Sequence, residues 1–218
     1  MTESAAHVRV IEETPTHWRV VFDYPPFNIV YATIFEGLQD LLARMDASPS
    51  LRVIVFESAN PEFYLAHFDL TGKTGNITTA VGSSGLPILM DTFVRLTKSP
   101  VVSIAKIRGR VRGVSSEFVL SCDMRFASRE NALLGQPEVG VGVNPGGGAT
   151  ERLPLLVGRG RALEIVLGAN ELRRGHRRTI RIRQPGTSGR GAGRLRRRAR
   201  ASDRVLRSVS ARDGEESH

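Results

Sequence analysis

The stretch "PVVSIAKIRGRVRGVSSEFVLSCD", Pro100 to Asp123, sets out the plan of the whole chain. "VVSIAKI" is apolar and β-branched, the pattern of a strand. "RGRVRG" is a turn of glycine and arginine. "VSSEFVLSCDM" predicts a helix with serine at its start, where a hydroxyl can cap a free N–H. Strand, turn and helix in succession form the unit of an α/β chain.

The alternation continues in both directions. Upstream, "WRVVFDY" (Trp18–Tyr24) predicts a strand, and "PPFN" then turns the chain. In Ile34–Ser48 the apolar residues Ile34, Leu38, Leu41, Leu42 and Met45 recur at helical spacing. "LRVIVFES" (Leu51–Ser58) is a continuous apolar run, which predicts a strand buried on both faces. An aromatic-rich loop, "NPEFYLAHFDLTGKTG", leads to a second helix, Leu86–Pro100, stopped by its proline. Downstream, "RFASRENALLG" reads as a short strand and a turn. A glycine loop, "VGVNPGGGATERL", then opens into "ERLPLLVGRGRALEIVLG".

Charge divides the 218 residues unevenly. Glu171–His218 holds 15 arginines, no lysine and 5 acidic residues. The remainder carries 16 basic and 17 acidic groups, so the +9 of the chain belongs to its last fifth. The expected organisation is a core domain over 1–170 and an Arg-rich, disordered tail over 171–218, too poor in apolar residues to offset its ordering entropy. Phosphate attraction would give that tail salt-dependent affinity for nucleic acid. It has no aromatic platform for bases, so no specific nucleic-acid partner is expected. One cysteine, Cys122, excludes a disulfide framework and a cysteine-rich metal site, and suits a reducing cytoplasm. No pair of histidines has metal-ligand spacing. The N-terminal residues lack the pattern of a signal peptide, and no apolar run is long enough to span a bilayer.

Three pieces can carry chemistry: "FYLAHFDL" (Phe63–Leu70), Ile107–Asp123, and "LGQPEVGVGVNPGGG" (Leu134–Gly148). The Gly turn before Glu117 opens a helix whose first N–H groups lack internal partners and can receive an anion. Glu117 and Glu138, facing one pocket, could divide a proton transfer between them. Each also has a plainer reading: Glu117 suits the helix dipole, and Glu138 can be an ordinary loop carboxylate. Asp69 and Asp123 can be capping groups, and His67 a loop residue beside aromatic side chains. The triple glycine can be a tight turn; without a following Gly-Lys-Ser/Thr it is no P-loop.

In this order the pieces resemble the enoyl-CoA hydratase/isomerase (crotonase) family, from about Val8 to Asn170. The family's F-x-A-G-x-D-L appears as "YLAHFDL". Its P-V-I-A-A-x-x-G-x-A-x-G-G-G-x-E-L-A-x-x-C-D appears as the opening stretch, with a two-residue insertion. Its Q-P-E-x-x-x-G-x-x-P-x-x-G-x-x-x-R-L appears as "QPEVGVGVNPGGGATERL". The resemblance implies a spiral of repeated ββα units whose C-terminal helices build trimers or dimers of trimers. It implies an acyl-CoA thioester as substrate, with no cofactor beyond the coenzyme A of that substrate. The backbone N–H groups of Phe68 and Val114 would form an oxyanion hole, and one such donor is worth about 3 kcal/mol. The reaction implied is hydration of a 2-enoyl-CoA or double-bond isomerisation. In a hydratase both glutamates would hold the attacking water, Glu117 acting mainly as base at Cβ and Glu138 delivering the proton to Cα. An isomerase can work with one carboxylate. Ala66, His67, Asp69, Gly113, Pro145 and Gly146 would line the substrate.

The chain departs from the family pattern at His67, Val114 and Ser115, each of which replaces a glycine. Altered oxyanion loops around an intact glutamate pair imply a shifted substrate or a slower enzyme. They also leave room for a non-catalytic acyl-CoA binder. Beyond Asn170 the family pattern ends. Arg173–Arg183 can be back-translated so that a one-base shift yields the Gly-Tyr-Val-Asn run that the family places there. A reading-frame slip near Glu171 is therefore expected to have replaced the family's C-terminal helices.

Overall fold

A computed structural model of the chain describes residues 7–69 and 75–172. Glu171–Leu172, which the sequence reading places in the disordered tail, form a short strand. The rest of the Arg-rich tail, from residue 173 onward, with the Arg173–Arg183 run on which the reading-frame slip rests, lies outside the described residues. Along the chain come β1 (Val8–Thr14), β2 (His17–Phe22), α1 (Ala32–Asp46), β3 (Val53–Ser58), β4 (Phe63–Leu65) and α2 (Ile88–Lys98). There follow β5 (Val102–Ile107), β6 (Arg110–Arg112), α3 (Val114–Ser121), β7 (Met124–Ala127) and β8 (Leu133–Gly135). A 3₁₀ turn (Glu138–Val141), α4 (Ala149–Val157), α5 (Arg159–Gly168) and β9 (Glu171–Leu172) complete the order.

The strands sort into two sheets. One has the order β1-β2-β3-β5-β7, the other β4-β6-β8-β9. β1 pairs antiparallel with β2, and β9 with β8; the remaining pairs are parallel. The first unit, β1-β2-α1, gives both strands to the five-stranded sheet. Each later unit gives its first strand to that sheet and its second to the four-stranded sheet, then closes with a helix. β3-β4-α2 and β5-β6-α3 follow this plan, and β7-β8 follows it through the 3₁₀ turn to α4. This is the repeated ββα spiral that the resemblance implies.

The long elements fall where the apolar pattern puts them. Ile34, Leu38, Leu41, Leu42 and Met45 all face inward from α1. Val53–Phe56 of β3 is buried on both faces: Ile54 and Phe56 in the main core, Val53 and Val55 in a separate cluster with Val102 and Ile104. Three short segments differ from the sequence reading, the first being the aromatic-rich loop, in which Phe63–Leu65 is strand β4. "RGRVRG" is not only a turn, because Arg110–Arg112 pairs with β4 and β8. "RFASRENALLG" holds two strands, one for each sheet.

α3 is buried along its whole length. Phe118 at its centre meets Phe22 and Phe56 edge-on, at centroid distances of 5.5 and 5.0 Å. Cys122 follows α3 with its Sγ 3.7 Å from the Phe118 carbonyl, and burial pushes its thiol up to about 12. No serine caps this helix. The cap is Gly113, at φ 57° and ψ −126°, a conformation closed to residues with a β-carbon. A helix buried on every side places its N-terminus, with its free N–H groups, inside the molecule.

Asn28 ties the first turn to the spiral. Its Nδ2 donates to Ser58 Oγ at 2.7 Å and lies within reach of the Phe22, Phe63 and Tyr64 carbonyls; its Oδ1 accepts from the Tyr24 N–H at 2.6 Å. The residue is buried at φ 52°, which asparagine tolerates better than most residues. Asn28→Ala strands several buried partners at once and is expected to cost about 3 kcal/mol. Denaturant unfolding checks this; a loss below about 1 kcal/mol would mean that the hub is dispensable.

Candidate active site

Glu117 stands on the first turn of α3, 2% exposed. Its Oε1 accepts the N–H of Gly147 at 2.7 Å and that of Ala149 at 3.0 Å. The glycine loop is therefore more than a turn: it supplies two amides to one carboxylate oxygen. A β-carbon on Gly147 would stand 2.6 Å from Glu117 Oε2 and 2.7 Å from Phe93 Cε2, so only glycine lets the loop come this close. Burial raises the Glu117 carboxyl above its ordinary range, and the charge of Glu138 pushes the same way. The Ala149 and Gly147 amides and the Arg152 cation pull it back without cancelling the rise.

Glu138 opens the 3₁₀ turn after β8 and is half-buried. Its Oε1 lies over Gly113, where a β-carbon would stand 2.8 Å away. Gln136, fully buried, donates Nε2 to Glu138 Oε1 at 3.3 Å and approaches the Gly113 carbonyl at 3.5 Å. Burial raises the Glu138 carboxyl too; its own amide and Gln136 oppose the rise. Gly113 thus touches the Glu138 carboxylate with its α-carbon, and its carbonyl accepts the backbone N–H of Glu117, one helical turn on, at 3.0 Å. Glu138 Oε2 and Gln136 Oε1 are buried acceptors with no hydrogen-bond donor among the described residues.

Phe68 and Val114 follow adjacent parallel strands. Leu65 of β4 is in register with Val111 of β6, and three residues on from each come Phe68 and Val114. Phe68 forms a parallel bridge with Val30: the Val30 N–H reaches the His67 carbonyl, and the Asp69 N–H reaches the Val30 carbonyl. In such a bridge the N–H of the central residue points away from its partner. The Val114 N–H is the first of α3 and has no acceptor within the helix. The Ser115 hydroxyl, buried, donates to the Ala66 carbonyl and so fastens the two segments together.

The remaining candidates divide. Ala66, Gly113 and Pro145 are buried, and Gly146 is exposed with open space beside it. Asp69 is buried with its amide turned to Val30, while the His67 side chain is exposed. Asp123 is structural: it accepts from the amide and the hydroxyl of Ser103, both at 2.9 Å. Sequence reasoning gave no role to Gln136 or Arg152, although both lie inside the Q-P-E…R-L motif. It noted Ser115 only as a cap for the helix start and as a missing glycine.

Among the described residues, no group of three or more His, Cys, Asp or Glu is placed to hold a metal, and no helix is long and apolar enough to cross a membrane.

The family model "Enoyl-CoA hydratase/isomerase" matches residues 18–175. The protein named "Putative enoyl-CoA hydratase/isomerase YngF" in Bacillus subtilis is 32% identical over 139 residues, 64% of this chain and 53% of that protein. The "Fatty acid oxidation complex subunit alpha" of Vibrio vulnificus is 30% identical over 180 residues, 79% of this chain and 25% of that protein. The chain thus spans about half of the first relative and a quarter of the second. A crystal structure titled as a "putative enoyl-CoA hydratase from Streptomyces avermitilis" superposes with a TM-score of 0.74 at 34% identity, covering 100% of this chain and 81% of that one. With the ββα spiral and the ordered motifs, these matches establish that the chain belongs to the enoyl-CoA hydratase/isomerase family.

Proposed function

We propose that the chain acts on an acyl-CoA thioester and adds water across the double bond of a 2-enoyl group. The observation that carries this reading is the pair Glu117, on the first turn of α3, and Glu138, whose Oε1 lies over the Gly113 cap of that helix. The charge of Glu138 acts on Glu117, and both have raised affinity for a proton. Hydration asks for one carboxylate that accepts a proton from water and one carboxyl that gives a proton to carbon. Glu117, held at Oε1 by two amides, keeps Oε2 for the water that attacks Cβ. Glu138 protonates Cα. The N–H groups of Phe68 and Val114 stabilise the enolate oxygen that forms between these steps. Ala66, Gly113, Pro145 and Gly146 line the thioester, with His67 and Asp69 at its edge. Coenzyme A enters as part of the substrate, and no other cofactor is required.

Loss of the enoyl-thioester absorbance of crotonyl-CoA tests the reading. Glu138→Gln is expected to lower the rate about a hundredfold or more. Equal rates in parent and variant would remove Glu138 from the mechanism and favour isomerisation with Glu117 alone. A second reading, an acyl-CoA binder without turnover, draws on His67, Val114 and Ser115 at family glycine positions; it predicts thioester binding by calorimetry with no absorbance change.

The same reading takes 1–170 as the catalytic core. Val141, Val143, Leu155, Leu163 and Leu167, on the segments from the 3₁₀ turn to α5, are each exposed. Exposed apolar side chains of this kind suit the subunit contacts of a trimer, and light scattering on the full chain decides whether one forms.

A further inference from the structure

The cradle that holds Glu117 is made of residues with little conformational preference of their own. Gly146, Gly147 and Gly148 run in succession, and glycine loses more freedom on ordering than any other residue. Something outside the loop has to fix it. Arg152, one turn into α4, donates Nη1 to the Gly147 carbonyl at 2.9 Å. Its guanidinium lies so close over Gly148 that a β-carbon there would stand 1.9 Å from Nη1. Gly148 itself is at φ 102°, which favours glycine in any case. Arg152 therefore grips the loop through one edge of Gly147, while the other edge of Gly147, with Ala149, grips Glu117 Oε1.

We propose that Arg152 is a positioning residue for the reaction: by fixing the Gly147–Ala149 amides it sets where the Glu117 carboxylate stands. The inference rests on the reading of Glu117 as the proton acceptor; the grip on the loop does not. Two charged groups act on Glu117, namely Glu138 from the 3₁₀ turn and Arg152 from α4. Burial lowers the Arg152 guanidinium from its ordinary range, and the charges of Glu117 and Glu151 oppose that. Its guanidinium remains cationic despite burial. It favours the ionised form of Glu117, as the two amides do, and loosening the amides would add to the loss of its charge.

The test uses the full chain with Arg152→Met, and with Arg152→Gln as a gentler variant that keeps a donor toward the Gly147 carbonyl. Two readouts are taken. The first is the titration of Glu117, followed by carbon NMR on glutamate labelled at the side-chain carboxyl, with Glu117→Gln identifying the signal. The second is kcat and KM on crotonyl-CoA across pH. In both variants the Glu117 titration and the acid limb of kcat are expected to move to higher pH. For Arg152→Met, kcat is expected to fall about tenfold while KM stays within about twofold. A folded variant in which Glu117 titrates as in the parent overturns the proposal. If the parent turns over no enoyl thioester, the proposed function fails on that arm, and the titration still decides the role of Arg152.

Discussion

Replacing Glu117 by glutamine is expected to lower the hydration rate about a thousandfold and, in the same molecule, to raise the midpoint of thermal unfolding at pH 8. In the proposed hydration, activity falls because an amide cannot take the proton of the attacking water. The stability gain follows from the direction of the shift. The folded state binds a proton at Glu117 more tightly than the unfolded chain does, mainly because burial penalises the charged form. The contribution of the group is therefore most favourable below the ordinary glutamate range and is lost as pH rises through the folded-state value. Glutamine does not titrate and can still accept the Gly147 and Ala149 amides through its oxygen. The two unfolding curves should converge near pH 4 and separate as pH rises. Part of the slope should persist in the variant, because Glu138 is shifted in the same direction. Melting curves at pH 4 and pH 8 decide the matter: equal midpoints at both would show that Glu117 carries no burial penalty.

Gly147→Ala is the second substitution with a large expected effect. Its methyl would meet Glu117 Oε2 at 2.6 Å and Phe93 Cε2 at 2.7 Å, and neither neighbour can withdraw freely. Glu117 is tethered by the amides of that same loop, and the Phe93 ring is fully buried. Overpacking of this kind costs about 1–3 kcal/mol. A carboxylate displaced by about 1 Å loses about a hundredfold in rate. Gly146→Ala is the internal control, because nothing lies within 4 Å of the added carbon. It should leave stability unchanged, and any rise in its KM would report that Gly146 faces substrate. Similar melting points for the two variants would show that the close approach at Gly147 is relieved at no cost.

The long elements could be read from local pattern. α1 shows its apolar stripe over four turns, and β3 shows a run too apolar to face water. β4, β6 and β8 could not be read this way. Each has three residues, too few for a period to declare itself, and β6 carries arginine at two of its three positions. What makes them strands is parallel pairing with segments far away in sequence. The site divides along the same line. Glu117 and Glu138 were legible as carboxylates at element junctions, and the ordered motifs gave them roles. The partners that hold them were not. Ser115 meets Ala66 across 49 residues of chain, and Glu117 meets Gly147 across 30. A serine read as a helix cap turned out to join the first turn of α3 to the loop after β4, because glycine at position 113 had already turned the chain into the helix.

Cys122 gives the molecule a built-in reporter. It is the sole cysteine of the sequence, it follows directly on the helix that carries Glu117, and its thiol is held protonated by burial. Alkylating reagents attack the thiolate, so the closed molecule is nearly inert to them. Modification has to wait for α3 to lift out of the core. The rate of labelling under native conditions therefore times the opening of the helix that carries Glu117, without a dye or an engineered residue. A thioester that binds only the closed form would slow that rate in proportion to its occupancy, turning a reaction at a buried sulfur into a measure of affinity at the site.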